Sequence, residues 1–111
     1  MILNTTFHIS GERRVAPFIA FMRDTCRPAI QADNSVRRFR FIRIVSDLED
    51  SMYGYVMMLE FDGPLPLMAF KKGVWARTLE LLYQRFGENA LTFTTIMADD
   101  TALLLGGTDN C

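Results

Sequence analysis

Over Met1–Ile9 the side chains alternate, with Leu3, Thr5, Phe7 and Ile9 pointing one way and Asn4, Thr6 and His8 the other. Period two with one polar face marks a half-buried strand, and Ser10-Gly11 ends it. The period then lengthens. Phe18, Met22, Cys26 and Ala29 fall at helical spacing, with Ile19, Phe21 and Ile30 widening the stripe. Pro17 fits only a first turn, so the regular helix is expected to begin near Arg14–Ala16, after an irregular turn, and Pro28 to end or kink it. Two β-rich runs follow, Val36–Val45 and Met52–Asp62, joined by the acidic turn Ser46–Ser51. In the first, Phe39, Phe41, Arg43 and Val45 share one face, and Arg38, Arg40, Ile42 and Ile44 the other. Such a mixture predicts either a bulge near Phe41-Ile42 or an edge strand guarded by arginines. The second run is apolar on both faces, so a central strand covered on both sides is expected. A second helix is expected just after Pro66, broken at Gly73, carrying Val74, Leu81 or Leu82, and Phe86, and stopping at Gly87. Leu91–Ala98 alternates again as a last strand.

The resulting order, β-α-β-β-α-β, is that of ferredoxin-like α+β folds: a four-stranded antiparallel sheet with two helices on one face. Residues 1–98 form the one domain, and 99–111 a tail whose Ala102-Leu103-Leu104-Leu105 run packs, swaps onto a neighbour or stays loose. The other sheet face would be open. It is expected to carry Tyr53, Tyr55, Met57, Leu59 and Phe61, too apolar to leave in water, so a second copy is expected to cover it.

Several segments resemble an uncharacterised family of short bacterial proteins related to the dimeric α/β-barrel group. These are the extended first strand, Phe18-Ile19-Ala20-Phe21-Met22-Arg23 followed by Pro28, the Tyr-rich third strand, and Tyr83-Gln84-Arg85-Phe86-Gly87 running into Phe93-Thr94-Thr95. The resemblance implies two sheets pairing face to face in a dimer. Some members of that wider group are cofactor-independent monooxygenases or haem-degrading enzymes. Where members of the family often carry a histidine two residues before the proline, this chain has Cys26, so no catalytic residue is carried over there.

Composition narrows the function further. Half of the 111 residues are hydrophobic and 23% charged, as in a folded domain. The net charge is -1, which gives no global electrostatic case for nucleic acid. Basic residues gather early all the same, eight against three acidic in 1–44, with four against ten in 45–111. Cys26 and Cys111 form no disulfide framework and no metal spacing; Cys26 reads as a buried hydrophobe and Cys111 as a free thiol. With one histidine and no clustered carboxylates, no metal or cofactor is expected. No run is long enough to span a membrane and no leader is evident, so a cytoplasmic protein is expected.

Candidate chemistry centres on His8, the only histidine. Asn4, His8, Tyr53 and Tyr55, with Arg40 or Arg43 from the second strand, are expected to line a pocket between the paired sheets. Such a set would bind a small anionic or aromatic ligand, and its catalytic residues are unknown. The first alternative is oxygenase or isomerase chemistry without a cofactor in the same pocket. The second is RNA binding, since Tyr53-Gly54-Tyr55-Val56 matches the middle of the aromatic motif on the third strand of RNA-recognition domains; Ser51, Met52 and Met58 break that motif. Homodimerisation is therefore the leading partner expectation, ahead of nucleic acid.

Overall fold

A computed structural model describes residues 1–45 and 52–106; the acidic turn at 46–51 and the residues from Gly107 onward, Cys111 included, lie outside the described residues. Strands β1 (Ile2–Ser10), β2 (Arg38–Arg43), β3 (Met52–Glu60) and β4 (Ala90–Met97) form one antiparallel sheet in the order β2-β3-β1-β4. Helix α1 covers residues 15–31, α2 residues 64–86, and the short α3 is Thr101–Leu105. The β-α-β-β-α-β order and the ferredoxin-like sheet are those the sequence predicts.

β1 alternates as expected, burying Leu3, Thr5, Phe7 and Ile9 beneath the helices. Thr5, the polar member of that row, has no exposed surface, and its hydroxyl meets that of the exposed Thr94 at 3.1 Å, so it is not buried unpaired. β2 is the edge strand. Its register with β3 runs unbroken from Arg38↔Glu60 to Arg43↔Tyr55, so the edge, not a bulge, accounts for its mixed faces.

Both long helices are widened by one wide, π-type turn, at Met22–Cys26 in α1 and at Lys71–Trp75 in α2. In α1 this explains why Pro28 does not end the helix, which runs on to Gln31. A proline ring crowds the carbonyl four residues back and offers it no N–H. Here the amide of Arg27 instead donates to the carbonyl of Met22, five residues away, loosening the backbone just ahead of the ring. Beyond Cys26 the helix is regular, and Ile30, four residues on, is buried while Ala29 is half-buried. In α2 the wide turn contains Gly73, where a break was expected; the chain stays helical, and the buried positions step from Phe70 to Trp75. That helix starts at Pro64, earlier than expected, because Pro64 and Pro66 both sit in the first turn, where backbone N–H groups have no helical partner. Gly87 stops it with φ 58° and ψ -135°, a conformation glycine reaches without a Cβ clash.

The core between sheet and helices is aromatic. The Phe18 ring lies 5.3 Å from Phe7, 5.5 Å from Tyr55 and 6.3 Å from both Phe41 and Phe86. Trp75 stacks on Phe70 and meets Phe7 edge-on, and its indole N–H is buried without an acceptor. Cys26 is fully buried, and desolvation pushes its thiol up to about 12. Iodoacetamide at pH 8 is therefore expected to leave Cys26 unmodified in the folded protein and to alkylate it after unfolding, as read by peptide mass mapping; labelling of Cys26 in the folded protein would contradict this burial.

One expectation is overturned. Tyr55, Met57, Leu59 and Phe61 lie on the helix-covered side and not on the open face; Tyr55 is only 7% exposed. The register explains it. Tyr55 pairs with Phe7, Met57 with Thr5 and Leu59 with Leu3, and residues opposite each other in a ladder share a face. β1 has a single apolar face, so its partner strand must present the matching residues to the same core. The apolar side of β3 is thus already covered within one chain.

Candidate functional site

The open face consists of the residues left by that register. β1 contributes Ile2, Asn4, Thr6 and His8; β3 contributes Gly54, Val56, Met58 and Glu60; β2 contributes Arg38, Arg40 and Ile42; β4 contributes Leu91, Phe93, Thr95 and Met97. It is still apolar, although from other residues than expected. Phe93 is 60% exposed and Leu91 45%, and Ile42 and Ile44 are also exposed. Ile44 closes over Gly54, whose amide-bearing backbone it approaches so nearly that a Cβ there would stand 2.9 Å from its Cδ1.

The six candidate residues divide between the two faces. Asn4, His8 and Arg40 lie on the open face, while Arg43, Tyr53 and Tyr55 lie on the helix side, so one pocket lined by all six is not formed in the protomer. Tyr55 stacks on Phe41 with ring planes 2° apart, as part of the core. His8 is opposite Gly54 and Leu91, with its ring edge-on to Phe93 at 5.7 Å. Asn4 and Arg40 flank Met58 in one row across the sheet, two strand spacings or about 10 Å apart. His8 stands four residues further along β1, about 14 Å from Asn4. Two polar spots therefore sit at separate places on an apolar surface.

The spot around Arg40 is a shallow cleft of about 90 Å³ lined by Ile2, Arg38, Arg40, Met58 and Glu60. Arg38 reaches Glu60 at 3.6 Å, an exposed pair that leaves Arg40 without an ion-pair partner among the described residues. Arg37 is held elsewhere, by Asp62 at 2.5 Å, and that contact keeps the Asp62 carboxyl below its usual range. No three His, Cys, Asp or Glu side chains converge among the described residues in a way that would hold a metal ion. No helix there is long and apolar enough to cross a membrane.

Placement of the tyrosines also removes the RNA-recognition platform. Base stacking needs aromatic rings on the open face, and Tyr53 and Tyr55 point into the helix layer. The aromatic rings that do stand on that face are Phe93 and His8. The signal for Phe93 was present in the sequence: β4 separates Phe93, Thr95 and Met97 from Thr92, Thr94 and Ile96, and pairing with the polar side of β1 puts the first set outward.

A second concavity, with no local signal in the chain, lies at the β2 edge under α1. It measures about 220 Å³ and is lined by Ile19, Met22, Arg23, Arg27, Phe39 and Phe41. The wide turn of α1 supplies Met22 and Arg23, and Arg27 follows directly. Two helices cannot fully roof four strands, and the uncovered part falls over the edge strand.

Comparison with known proteins agrees with this architecture. The model of a family described as a domain of unknown function (DUF4286) matches residues 1–99. No curated protein matches the sequence. Among solved structures, the chain is similar to a dimeric ferredoxin-like protein from an uncultured marine organism, at 12% identity and TM-score 0.66, covering 88% of this chain and 95% of that one. It is also similar to an ethyl tert-butyl ether D (EthD) family protein from Bacillus halodurans C-125, at 15% identity and TM-score 0.61, over 88% of this chain and 100% of the other. A putative antibiotic biosynthesis monooxygenase from Nitrosomonas europaea follows at 12% identity and TM-score 0.56, over 89% and 100%. At these identities the likeness establishes the ferredoxin-like fold of this chain.

Proposed function

The chain belongs to the DUF4286 family, and from that premise we propose that it acts as a homodimer, its two open sheet faces packed together, serving as a small-molecule-binding or accessory protein. The observation that carries this reading is the exposed apolar surface of Ile42, Ile44, Leu91 and Phe93 on the sheet face that no helix covers. Similarity in fold to the dimeric ferredoxin-like protein from an uncultured marine organism lends support. Between two such sheets the surroundings are mostly apolar, with few polar groups, which is the usual make-up of a ligand pocket. Asn4, Arg40 and His8 are the groups that would orient a ligand. Arg40, which makes no ion pair among the described residues, favours an anionic one, and the edge of His8 against Phe93 favours an aromatic body.

The reading is tested by a thermal-shift screen of small aromatic and aliphatic carboxylic acids on the purified protein. A hit at 100 times its dissociation constant is expected to stabilise the fold by about 2.7 kcal/mol. Arg40→Gln should weaken a hit seated in the Arg40 cleft, and His8→Ala one seated against Phe93, at least tenfold while leaving the unliganded melting temperature nearly unchanged. A hit indifferent to both substitutions, or no hit across the screen, would count against a pocket between the sheets.

A further inference from the structure

We infer that the cleft between α1 and β2 binds a medium-length straight-chain carboxylate, its head on Arg27 and its chain along Phe39 and Phe41. The site opens on the helix side of the sheet and is built within one chain. It is therefore separate from the open face and stands whether or not two copies pair.

Both walls belong to elements that the core holds in place. In β2, Phe39 and Phe41 stand on the helix side, opposite Leu59 and Met57 of β3 and about 7 Å apart along the strand. Phe41 is fixed by its stack on Tyr55 and its contact with Phe18. The facing wall is Ile19, Met22, Arg23 and Arg27, a stretch of α1 about 12 Å long. Ile19, Phe39 and Phe41 are only half-buried, and the cleft is where their apolar surface stays uncovered. Because the chain reverses between α1 and β2, Ile19 stands towards Phe41 and Arg27 towards the Phe39 end. The slot is thus apolar at one end and cationic at the other.

The two arginines differ. Arg23 donates to both carboxylate oxygens of Asp24, at 2.9 and 3.1 Å, and holds that carboxyl below its usual range. Arg27 makes no ion pair among the described residues. With Arg23 neutralised by Asp24, the rim offers one net positive charge, on a planar fork that matches a carboxylate. A phosphate monoester would bring a second negative charge to face Asp24.

Size points the same way. The cleft measures about 220 Å³, and a cavity of about 150 Å³ is enough for benzene. A protein partner needs about 800 Å² of surface, far more than these six residues present. An extended chain advances about 1.2 Å per bond, so a carboxylate of about eight carbons spans the helix wall. Such a chain follows a slot that a compact ring would fill at one end only.

Isothermal calorimetry with octanoate tests the site, in a chain carrying Arg40→Gln and His8→Ala so that the polar groups proposed for the open face are gone. One octanoate is expected to bind per chain, with affinity falling about fourfold for each methylene removed. Adding Arg27→Gln should weaken binding at least tenfold, and Ile19→Trp, which fills the cleft, should abolish it. Octylamine, with the same body and the opposite charge, should not bind. If Ile19→Trp fails to fold by circular dichroism, Arg27→Gln decides alone. No binding at millimolar octanoate, or binding that survives Arg27→Gln, would overturn the proposal. If the unmodified chain binds octanoate and the Arg40→Gln/His8→Ala chain does not, the acid sits on the open face, so this site falls and the reading above gains. In the acid screen, Arg27→Gln likewise separates a hit held in this cleft from one on the open face.

Discussion

Phe18→Ala is expected to lower the free energy of unfolding by about 3–5 kcal/mol, the range for removing a fully buried phenylalanine. Phe18 touches sheet and helix partners at once, with Phe7, Phe41 and Tyr55 below it and Phe86 beside it, and none of its surface is exposed. Its four ring partners belong to four different elements, so no single side chain can move in to fill the gap. Domains of this size have total stabilities of about 5–15 kcal/mol, so the variant should melt at least about 12 °C lower and hold a visible unfolded fraction in mild urea. A change below about 1 kcal/mol in urea titration would mean that this ring cluster is not the centre of the core.

Phe93→Arg is expected to weaken self-association by at least about a hundredfold, with little loss of monomer stability. Phe93 is 60% exposed in the protomer, so its removal opens no cavity there. In a face-to-face dimer the same ring would be buried between the sheets, where large aromatic anchors carry binding energy and an unpaired charge is costly. The neighbouring cation-attracting carboxylates are few: on the open face among the described residues Glu60 is the acidic side chain, and it sits at the opposite end, beside Arg38. Sedimentation velocity across a concentration series measures the shift. An unchanged dissociation constant would place the interface elsewhere.

The alternation of Leu3, Thr5, Phe7 and Ile9 was enough to locate β1 and its buried face, since period two maps directly onto a two-sided sheet. Gly87 as a helix stop was legible for a similarly local reason, whereas the mixed faces of β2 left a bulge and an arginine-rich edge open until the register decided for the edge. Which face of β3 met the helices was not legible, because Tyr53, Tyr55, Met57 and Leu59 alternate with Val56 and Met58 and both rows are apolar. Only the pairing with β1 breaks that tie, through Phe7↔Tyr55 and Thr5↔Met57. The split of the candidate site follows from that one ambiguity: His8 and Asn4 were placed by their own strand, and the tyrosines were assigned to the wrong side. The wide turns were hidden too, since a helix that absorbs Pro28 or Gly73 by lengthening one hydrogen-bonded ring leaves the same residues in the sequence as a helix that breaks. The cleft at the β2 edge depends on how far α1 overhangs the sheet, a property of packing that no local pattern encodes.

Multi-angle light scattering on the unmodified protein, at micromolar concentration and physiological salt, tests the pairing of open faces most directly. The dimer predicts a mass of about 25 kDa, twice the 12.7 kDa chain, stable on dilution over tenfold. A mass of 12.7 kDa throughout would contradict it, leaving Ile42, Leu91 and Phe93 in water and removing the enclosed surface on which Asn4, His8 and Arg40 are proposed to act.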